Sequence, residues 1–151
     1  MVNWKLRRAY PQDAPALTRC ISAAYQVYIP KTGSSILPLL ADYAEEIALY
    51  QVWVAEEQGQ IVGGLVLVPK EDHMLLANIA VHPDHQGKGV GQTLLELADS
   101  ETLNQGYKEL RLYTNKVMGE NIAMYKRRGW SEMLCDEQDG HKVLMRKSIC
   151  T

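Results

Sequence analysis

Glycines stand at 87, 89 and 91, with Lys88 between the first two, after the run Asn78-Ile79-Ala80-Val81-His82-Pro83-Asp84-His85-Gln86. Glycine lets a backbone take positive φ and bring its N–H groups close to a ligand with no Cβ in the way. A helix opening at Gly89 would leave its first amides without intrahelical acceptors, and its macrodipole would place about half a positive charge at that end. Phosphate docked there is stabilised from both sources, and Lys88 adds a full charge. A second pair, Asn121 and Tyr125, is spaced so that both project from one face of a helix. A phenol held beside a leaving group can give it a proton. A tyrosine can equally pack its ring and find a structural partner for its hydroxyl.

Spacing sorts the phosphate readings. A Walker-type loop needs G-x-x-x-x-G-K-[ST], but Gly89 follows Gly87-Lys88, and His82 stands where the first glycine belongs. A dinucleotide fingerprint read from Gly87 and Gly89 needs a glycine at 92, where the chain has Gln92. What remains is Gln86-x-x-Gly89-x-Gly91 after a strand, which resembles the pyrophosphate-binding motif of the GNAT superfamily of acyl-CoA-dependent N-acetyltransferases. Glu120-Asn121-Ile122-Ala123-Met124-Tyr125-Lys126-Arg127-Arg128-Gly129-Trp130 is similar to the family's second signature, an Asn and a Tyr on a short helix followed by Gly and an aromatic residue. The resemblance covers most of the chain and is weakest between residues 25 and 50.

The resemblance implies an α/β (α+β) fold. Its sheet would be mixed, mostly antiparallel and of six to seven strands, flanked by about four helices, with a splayed parallel pair formed by the fourth and fifth strands. It implies acetyl-CoA as cofactor, with Gln86, Gly87, Lys88, Gly89, Val90, Gly91 and Gln92 at the pyrophosphate. Ile79, Ala80 and Val81 would run beside the pantetheine arm, and Asn115 would border the gap. Asn121 would contact the cofactor, and Tyr125 would protonate the coenzyme A thiolate as it leaves. The implied reaction is direct attack by a primary amine of a small molecule or peptide within a ternary complex. A non-catalytic acyl-CoA-binding or regulatory module on the same fold is the alternative, and a nucleotide-binding protein unrelated to coenzyme A is a third reading.

The general base does not carry over. Many relatives have a glutamate shortly before the position of Asn78, and this chain has Ala77 there. Asp72, His73 and His82, or a water chain ending at one of them, are the nearby groups, and each also reads as an ordinary loop or strand-end residue. His82 and His85 flank Pro83 with no third ligand in sight, so no metal site is expected. Relatives shape the acceptor pocket from segments matching Tyr25 to Leu39 and Asp136 to Gly140. Tyr25, Tyr28 and Tyr43, with Asp136, Glu137 and Asp139, would favour a cationic amine, although a charged hairpin turn is ordinarily just solvated. Dimers are frequent in the family, so a homodimer is a candidate state that nothing in the sequence requires.

The elements that must hold these residues follow from periodicity. Lys5 to Ala9 reads as a strand, and Asp13 as the N-cap of a helix carrying Ala16, Leu17, Cys20, Ile21, Ala24 and Tyr25 on one face. Pro30, Gly33 and Pro38 interrupt the chain before a helix with Leu39, Leu40, Tyr43, Ala44, Ile47 and Ala48 at helical spacing. Val52 to Ala55 and Ile61 to Val68 form a hairpin around Glu56 to Gln60. Leu75 to Val81 feeds the glycine loop. The helix from Gly89 buries Val90, Leu94, Leu97, Ala98 and Thr102 and stops at Gly106. Glu109 to Thr114 completes a strand-helix-strand unit, with the loop at the carboxyl end of its first strand. Trp130 to Cys135 and His141 to Met145 form a last antiparallel pair.

The 151 residues, 46% of them hydrophobic, suit one domain spanning 1–151. A formal charge of −2 with no basic run beyond Lys126-Arg127-Arg128 argues against a nucleic-acid partner. No apolar stretch approaches the ~20 residues of a membrane span, and the charged start does not read as a signal peptide. A cytoplasmic location is the expectation. Cys20, Cys135 and Cys150 are odd in number and widely spaced, which fits free thiols rather than a disulfide framework.

Overall fold

The computed structural model describes residues 4–26, 41–116, 118–133 and 142–149. Tyr28, Pro30, Gly33, Pro38, Leu39, Leu40, Cys135, the turn at 136–140, His141 and Cys150 lie outside the described residues. In chain order the elements are β1 (Trp4–Arg8), α1 (Ala14–Tyr25), α2 (Tyr43–Leu49), β2 (Gln51–Glu57), β3 (Gln60–Pro69) and β4 (Met74–Val81). These are followed by α3 (Val90–Asn104), β5 (Glu109–Asn115), α4 (Gly119–Arg127), β6 (Ser131–Glu132) and β7 (Lys142–Ser148). The strands form one seven-stranded sheet in the order β1-β2-β3-β4-β5-β7-β6. Every neighbouring pair is antiparallel except β4 and β5.

Two apolar clusters cover the two faces of this sheet. On one face Leu17 and Ile21 of α1 and Tyr43 of α2 meet Val52, Val54, Val66 and Ala80. On the other, Val90, Leu94, Leu95 and Ala98 of α3 meet Leu65, Leu67, Met74, Leu76, Leu110 and Leu112, and Tyr125 and Trp130 join the same cluster. Adjacent glycines in β3 let both helices approach. A Cβ on Gly64 would lie 2.6 Å from Leu17 Cδ1, and one on Gly63 would lie 3.1 Å from Val90 Cγ1 and from the Ala80 carbonyl oxygen.

The turns explain where the elements stop. Gln58 and Gly59 both take positive φ, 52° and 79°, and join β2 to β3 in a two-residue turn. The strands therefore extend through Glu56, Glu57 and Gln60, which the sequence reading assigns to the turn. Glu56 stays in the strand because its carboxylate accepts from Arg7 Nε across the sheet at 2.7 Å. Gly106, at φ 85°, closes α3: Tyr107 N–H donates to Thr102 O and Gly106 N–H to Leu103 O, both at 3.0 Å. Asp42 caps α2 by accepting from the amides of Ala44 and Glu45 at 3.1 and 3.3 Å.

Asp13 departs from the expected cap. It precedes α1 but makes no side-chain bond to that helix. Its carboxylate instead accepts from Tyr10 N–H at 2.6 Å and from both terminal nitrogens of Arg7, at 2.8 and 3.1 Å. The Arg7 guanidinium is the largest cause holding this carboxyl below its ordinary range, and the Tyr10 amide works in the same direction. Arg7 thus ties β1, the turn before α1 and Glu56 of β2 into one network.

A group whose folded pKa is depressed contributes stability above its unfolded value, about 3.9, and loses that contribution as pH falls through the folded value. Asp13→Asn should therefore cost about 2 kcal/mol at pH 7. Urea unfolding at a series of acidic pH values checks this: the gap between the two proteins should narrow as pH falls through the depressed folded pKa of Asp13, and a gap independent of pH would assign the loss to packing rather than charge.

Candidate active site

β4 and β5 pair in parallel only through Met74–Leu110, Leu75–Arg111 and Leu76–Leu112. Beyond Leu76, β4 is held by β3 alone; beyond Leu112, β5 is held by β7 alone. A gap therefore opens in the middle of the sheet, and backbone groups of residues 77–81 that point toward β5 have no ladder partner there.

The break coincides with a β-bulge. Val66 pairs with Asn78 and Leu67 with Leu76, so Ala77 is an extra residue in β4. Because strand side chains alternate with a period of two, one extra residue reverses the faces of all that follow. Met74 and Leu76 belong to the α3 side and Leu75 to the α1 side; after the bulge, Ile79 and Val81 take the α3 side and Ala80 the α1 side. Ala77 is exposed although it lies in a central strand.

The bulge also delivers Asn78 to the α1 side. Its Nδ2 donates to the Tyr43 hydroxyl at 2.8 Å, and its Oδ1 accepts from the Tyr25 hydroxyl at 3.1 Å. Asn78 is 8% exposed, and desolvation pushes the Tyr43 phenol above its ordinary range. Periodicity alone missed this network. Its signal was present: an asparagine inside an otherwise apolar central strand, which must find partners when buried.

Past β4 the chain turns through His82 to Gln86 into the glycine loop. His82 Nδ1 accepts from the Asp84 amide at 3.1 Å, so this nitrogen serves the turn. Gln86 Nε2 donates to Val81 O at 3.1 Å and ties the loop to the end of β4. His85 Nδ1 lies 3.2 Å from Glu57 Oε2, close enough for an ion pair but not aligned as a hydrogen bond. Gly87 and Gly89 take φ of 81° and 94°, as expected. Gly91 does not. It lies within α3, and a Cβ on it would meet only Val81 Cγ2 at an ordinary 3.5 Å.

α3 begins without a side-chain cap. Its cap residue Gly89 offers only its carbonyl, to the Thr93 N–H at 3.0 Å and the Thr93 hydroxyl at 2.8 Å. Among the described residues, none of the amides from Gly87 to Gln92 donates to a backbone carbonyl. Gly87, Lys88, Gly89 and Gln92 are exposed, whereas Val90 is buried beneath them. An anion is the natural partner for such a row of donors at a helix N-terminus.

Across the gap, Asn115 ends β5, and its carbonyl accepts from the Met118 amide at 2.9 Å just before α4. Asn121 and Tyr125 share one face of α4, Asn121 partly exposed and Tyr125 6% exposed. The Tyr125 ring packs on Trp130 with centroids 5.6 Å apart. The structure thus gathers Ile79, Val81, Val90 and Tyr125 into one cluster on the α3 side.

The expected base candidates separate. Asp72 and His73 bond each other at 2.7 Å before β4 begins, at the end away from the glycine loop. At ~3.3 Å per residue they stand roughly 15 Å along the strand from Ala77. On α2, Glu46 has a buried Oε2 without a hydrogen-bond partner among the described residues, and burial, followed by Glu45 and Asp42, pushes its carboxyl up. Nothing in the sequence pattern distinguishes Glu46 from its acidic neighbours. Cys20 is buried on α1, and desolvation pushes its thiol up to about 11, which leaves it poorly nucleophilic.

Comparison with known proteins names the class. Residues 48–132 match the model of the acetyltransferase (GNAT) domain. The uncharacterized N-acetyltransferase YjgM of Escherichia coli K12 is 30% identical over 143 residues, covering 85% of this chain and 82% of that protein. The mycothiol acetyltransferase of Jonesia denitrificans is 36% identical over 88 residues, covering 56% of this chain but only 28% of that protein. The chain belongs to the GNAT acetyltransferase family, whose cofactor is acetyl-CoA. In fold, it matches the PaiA N-acetyltransferase of Thermoplasma acidophilum, solved with coenzyme A, at a TM-score of 0.83 and 17% identity, over 97% of this chain and 99% of that one. The ribosomal-protein-S18-alanine N-acetyltransferase of Escherichia coli matches at 0.73 and 20% identity, over 98% and 95%.

The two kinds of loop glycine should behave differently on substitution. Gly89→Ala places a Cβ in the left-handed region and should cost about 1–2 kcal/mol. Gly91→Ala, in a helix with room for the methyl group, should be neutral or stabilising by up to about 1 kcal/mol. Chemical unfolding of both variants measures the contrast, and equal losses would contradict the assigned backbone conformations.

Proposed function

We propose that this protein transfers an acetyl group from acetyl-CoA to a primary amine of a small molecule or peptide within a ternary complex. The observation that carries the reading is the row of amides from Gly87 to Gln92 that, among the described residues, donate to no backbone carbonyl, opening α3 at the end of the gap between β4 and β5. These amides, with the Lys88 charge, would hold the pyrophosphate. Ile79, Ala80 and Val81 would line the pantetheine arm, with Asn115 and Asn121 across the gap.

When bound, acetyl-CoA supplies an activated acetyl group whose leaving group is a thiolate. The chain's own part is positioning and proton transfer. Backbone N–H groups of β4 left without β5 partners can donate to an acyl oxygen. Tyr125 is the proposed general acid, its ring fixed by Trp130. His82 has its Nδ1 engaged and the Asp72–His73 pair sits beyond the closed part of the β4–β5 ladder, so neither is assigned as the base. Membership in a family of named N-acetyltransferases and the presence of Tyr125 favour catalysis over a purely binding role.

Gly89→Glu should abolish acetyl-CoA binding in calorimetry while far-ultraviolet circular dichroism stays native, because the carboxylate would occupy the anion position. Tyr125→Phe should keep the packing on Trp130 and lower kcat by about 100-fold, with little change in KM for acetyl-CoA. Thiol release with a panel of primary amines tests the activity itself; the transfer reading is falsified if no amine raises it above background.

A further inference from the structure

The glycine loop is reached through a short turn whose last residue, His85, carries a ring that reaches back to the sheet. Its Nδ1 lies 3.2 Å from Oε2 of Glu57, the last residue of β2. Both atoms are buried, and neither has a hydrogen-bond partner among the described residues. A buried carboxylate oxygen without a donor is costly, and the natural remedy here is a proton on the facing nitrogen. Neutral imidazole supplies one only in the tautomer that carries hydrogen on Nδ1. Imidazolium carries hydrogen on both nitrogens and adds a charge opposite to that of the carboxylate.

The surroundings leave this pair largely to itself. Glu57 stands across from Trp4 on β1 and Gln60 on β3, neither of which titrates. Glu56 points to the opposite side of β2, where Arg7 holds it. The first turn of α3, Val90 to Thr93, carries no titratable side chain. On the turn itself, the His82 ring meets that of His85 edge-on with centroids 5.9 Å apart, its Nδ1 engaged by the Asp84 amide and 3.8 Å from the Asp84 carboxylate. Lys88, on the loop, is exposed. Among the described residues, Glu57 is therefore the one carboxylate within ion-pair distance of His85.

The pair is also coupled to the loop by position. His85 N–H donates to His82 O at 2.9 Å and Gln86 N–H to Pro83 O at 3.4 Å, and the residues that follow carry the amides from Gly87 to Gln92. Beside Glu57, the Trp4 ring would lie 3.7 Å from a Cβ on Gly89, so the end of the β1–β2 pair meets the loop at two points. A cation held at His85 acts on an anion in the loop by two routes of the same sign. It fixes the approach to the amides, and its charge attracts the ligand directly.

We propose that His85 and Glu57 form a proton-linked clamp on the glycine loop, a positioning pair through which acetyl-CoA binds together with a proton. The proposal rests on the acetyl-CoA reading of the loop and adds a regulation of that site. By linkage, an imidazolium that favours the bound anion is itself favoured by that anion, so binding takes up a proton. Affinity rises as pH falls through the range in which imidazole titrates, and this contribution is lost as pH rises through it. Neither residue is assigned a part in acetyl transfer itself.

The test measures acetyl-CoA binding to the full chain by calorimetry from pH 6 to pH 8.5 for wild type, Glu57→Gln and His85→Asn, with far-ultraviolet circular dichroism checking each fold. Gln keeps the shape of Glu57 without its charge, and Asn keeps a nitrogen near the Nδ1 position without a titration. The phosphate monoester of acetyl-CoA itself titrates near pH 6, so the quantity read is the ratio of wild-type to variant affinity at each pH. That ratio should be about fivefold at pH 6, the low end of couplings between two sites, and should fall to within about twofold at pH 8.5. At pH 7, titrations in buffers of different ionisation enthalpy should show wild type taking up more protons on binding than either variant. If His85→Asn does not fold, Glu57→Gln decides, because it exchanges one oxygen for nitrogen. A ratio that does not fall with rising pH, whether large or near one, overturns the proton link, since a contact of shape alone has no reason to follow an imidazole. A wild type that binds no acetyl-CoA at any of these pH values overturns the loop assignment, and this inference with it.

Discussion

A parallel strand pair inside a sheet ordinarily satisfies the facing backbone groups of both strands, and leaving such groups unpaired away from water costs free energy comparable to a lost hydrogen bond each. Here the β4–β5 ladder ends after Leu76–Leu112. The rest of the architecture makes this tolerable. β3 keeps one edge of β4 paired as far as Val81, and β7 keeps one edge of β5 paired as far as Asn115. Ala77, the bulged residue at the break, brings no large side chain to fill the opening. The same extra residue reverses the side-chain faces of β4, putting Ile79 and Val81 under α3 and Asn78 against α1 and α2. One insertion thus opens the gap and decides what looks into it from each side.

The glycine loop depends on that strand end. A row of amides at a helix N-terminus binds an anion well only if the amides are already aimed, since ordering them on binding would consume part of the gain. Gln86 bonds the carbonyl of Val81, His82 holds the amide of Asp84, and the His85 ring lies against Glu57 of β2. Each contact fixes the approach to the loop through a side chain and leaves the loop's own N–H groups uncommitted. Gly89 then serves as a cap without a cap side chain. Ser or Asp, which would ordinarily stabilise that helix start, would occupy the donors that the proposed anion would need.

Much of this was legible in the sequence where one residue type has one physical reason to be present. Gly59 and Gly106 marked a turn and a helix end because both need positive φ, and the stripe from Val90 to Thr102 marked α3 because its spacing matches a helix. Gly91 misled the reading because glycine signals permission, not use. Asp13 misled it because a carboxylate before a helix can serve a distant guanidinium as readily as the nearby amides, and only the fold brings Arg7 to it. Glu56 and Glu57 read as turn residues because their partners, Arg7 and His85, belong to other elements. The bulge at Ala77 left no trace in composition, since a shift of phase within an apolar strand only exchanges one apolar residue for another. Asn78 was the exception, a polar side chain that the shift sends to a new face.

The division of the two faces also bears on how the proposed proton transfer can run. In water a phenol, with a pKa near 10, is a weaker acid than a thiol near 8.5, so protonating a free thiolate from a phenol would be uphill by about 2 kcal/mol. Burial raises both acids together and does not remove this difference; transfer that proceeds while the carbon–sulfur bond is still breaking avoids forming the free thiolate first. The α3 face supplies that environment: Ile79, Val81 and Tyr125 belong to one apolar cluster, with Trp130 closing it. The α1 face has the opposite character, with hydroxyls and an amide beside the gap and Glu46 one helical turn beyond Tyr43. An attacking nitrogen must shed a proton, which polar groups assist, whereas a departing sulfur must gain one, which a dry cluster with one phenol assists. In the proposed reaction, separating the two demands onto opposite faces of a split sheet would let a single gap serve both.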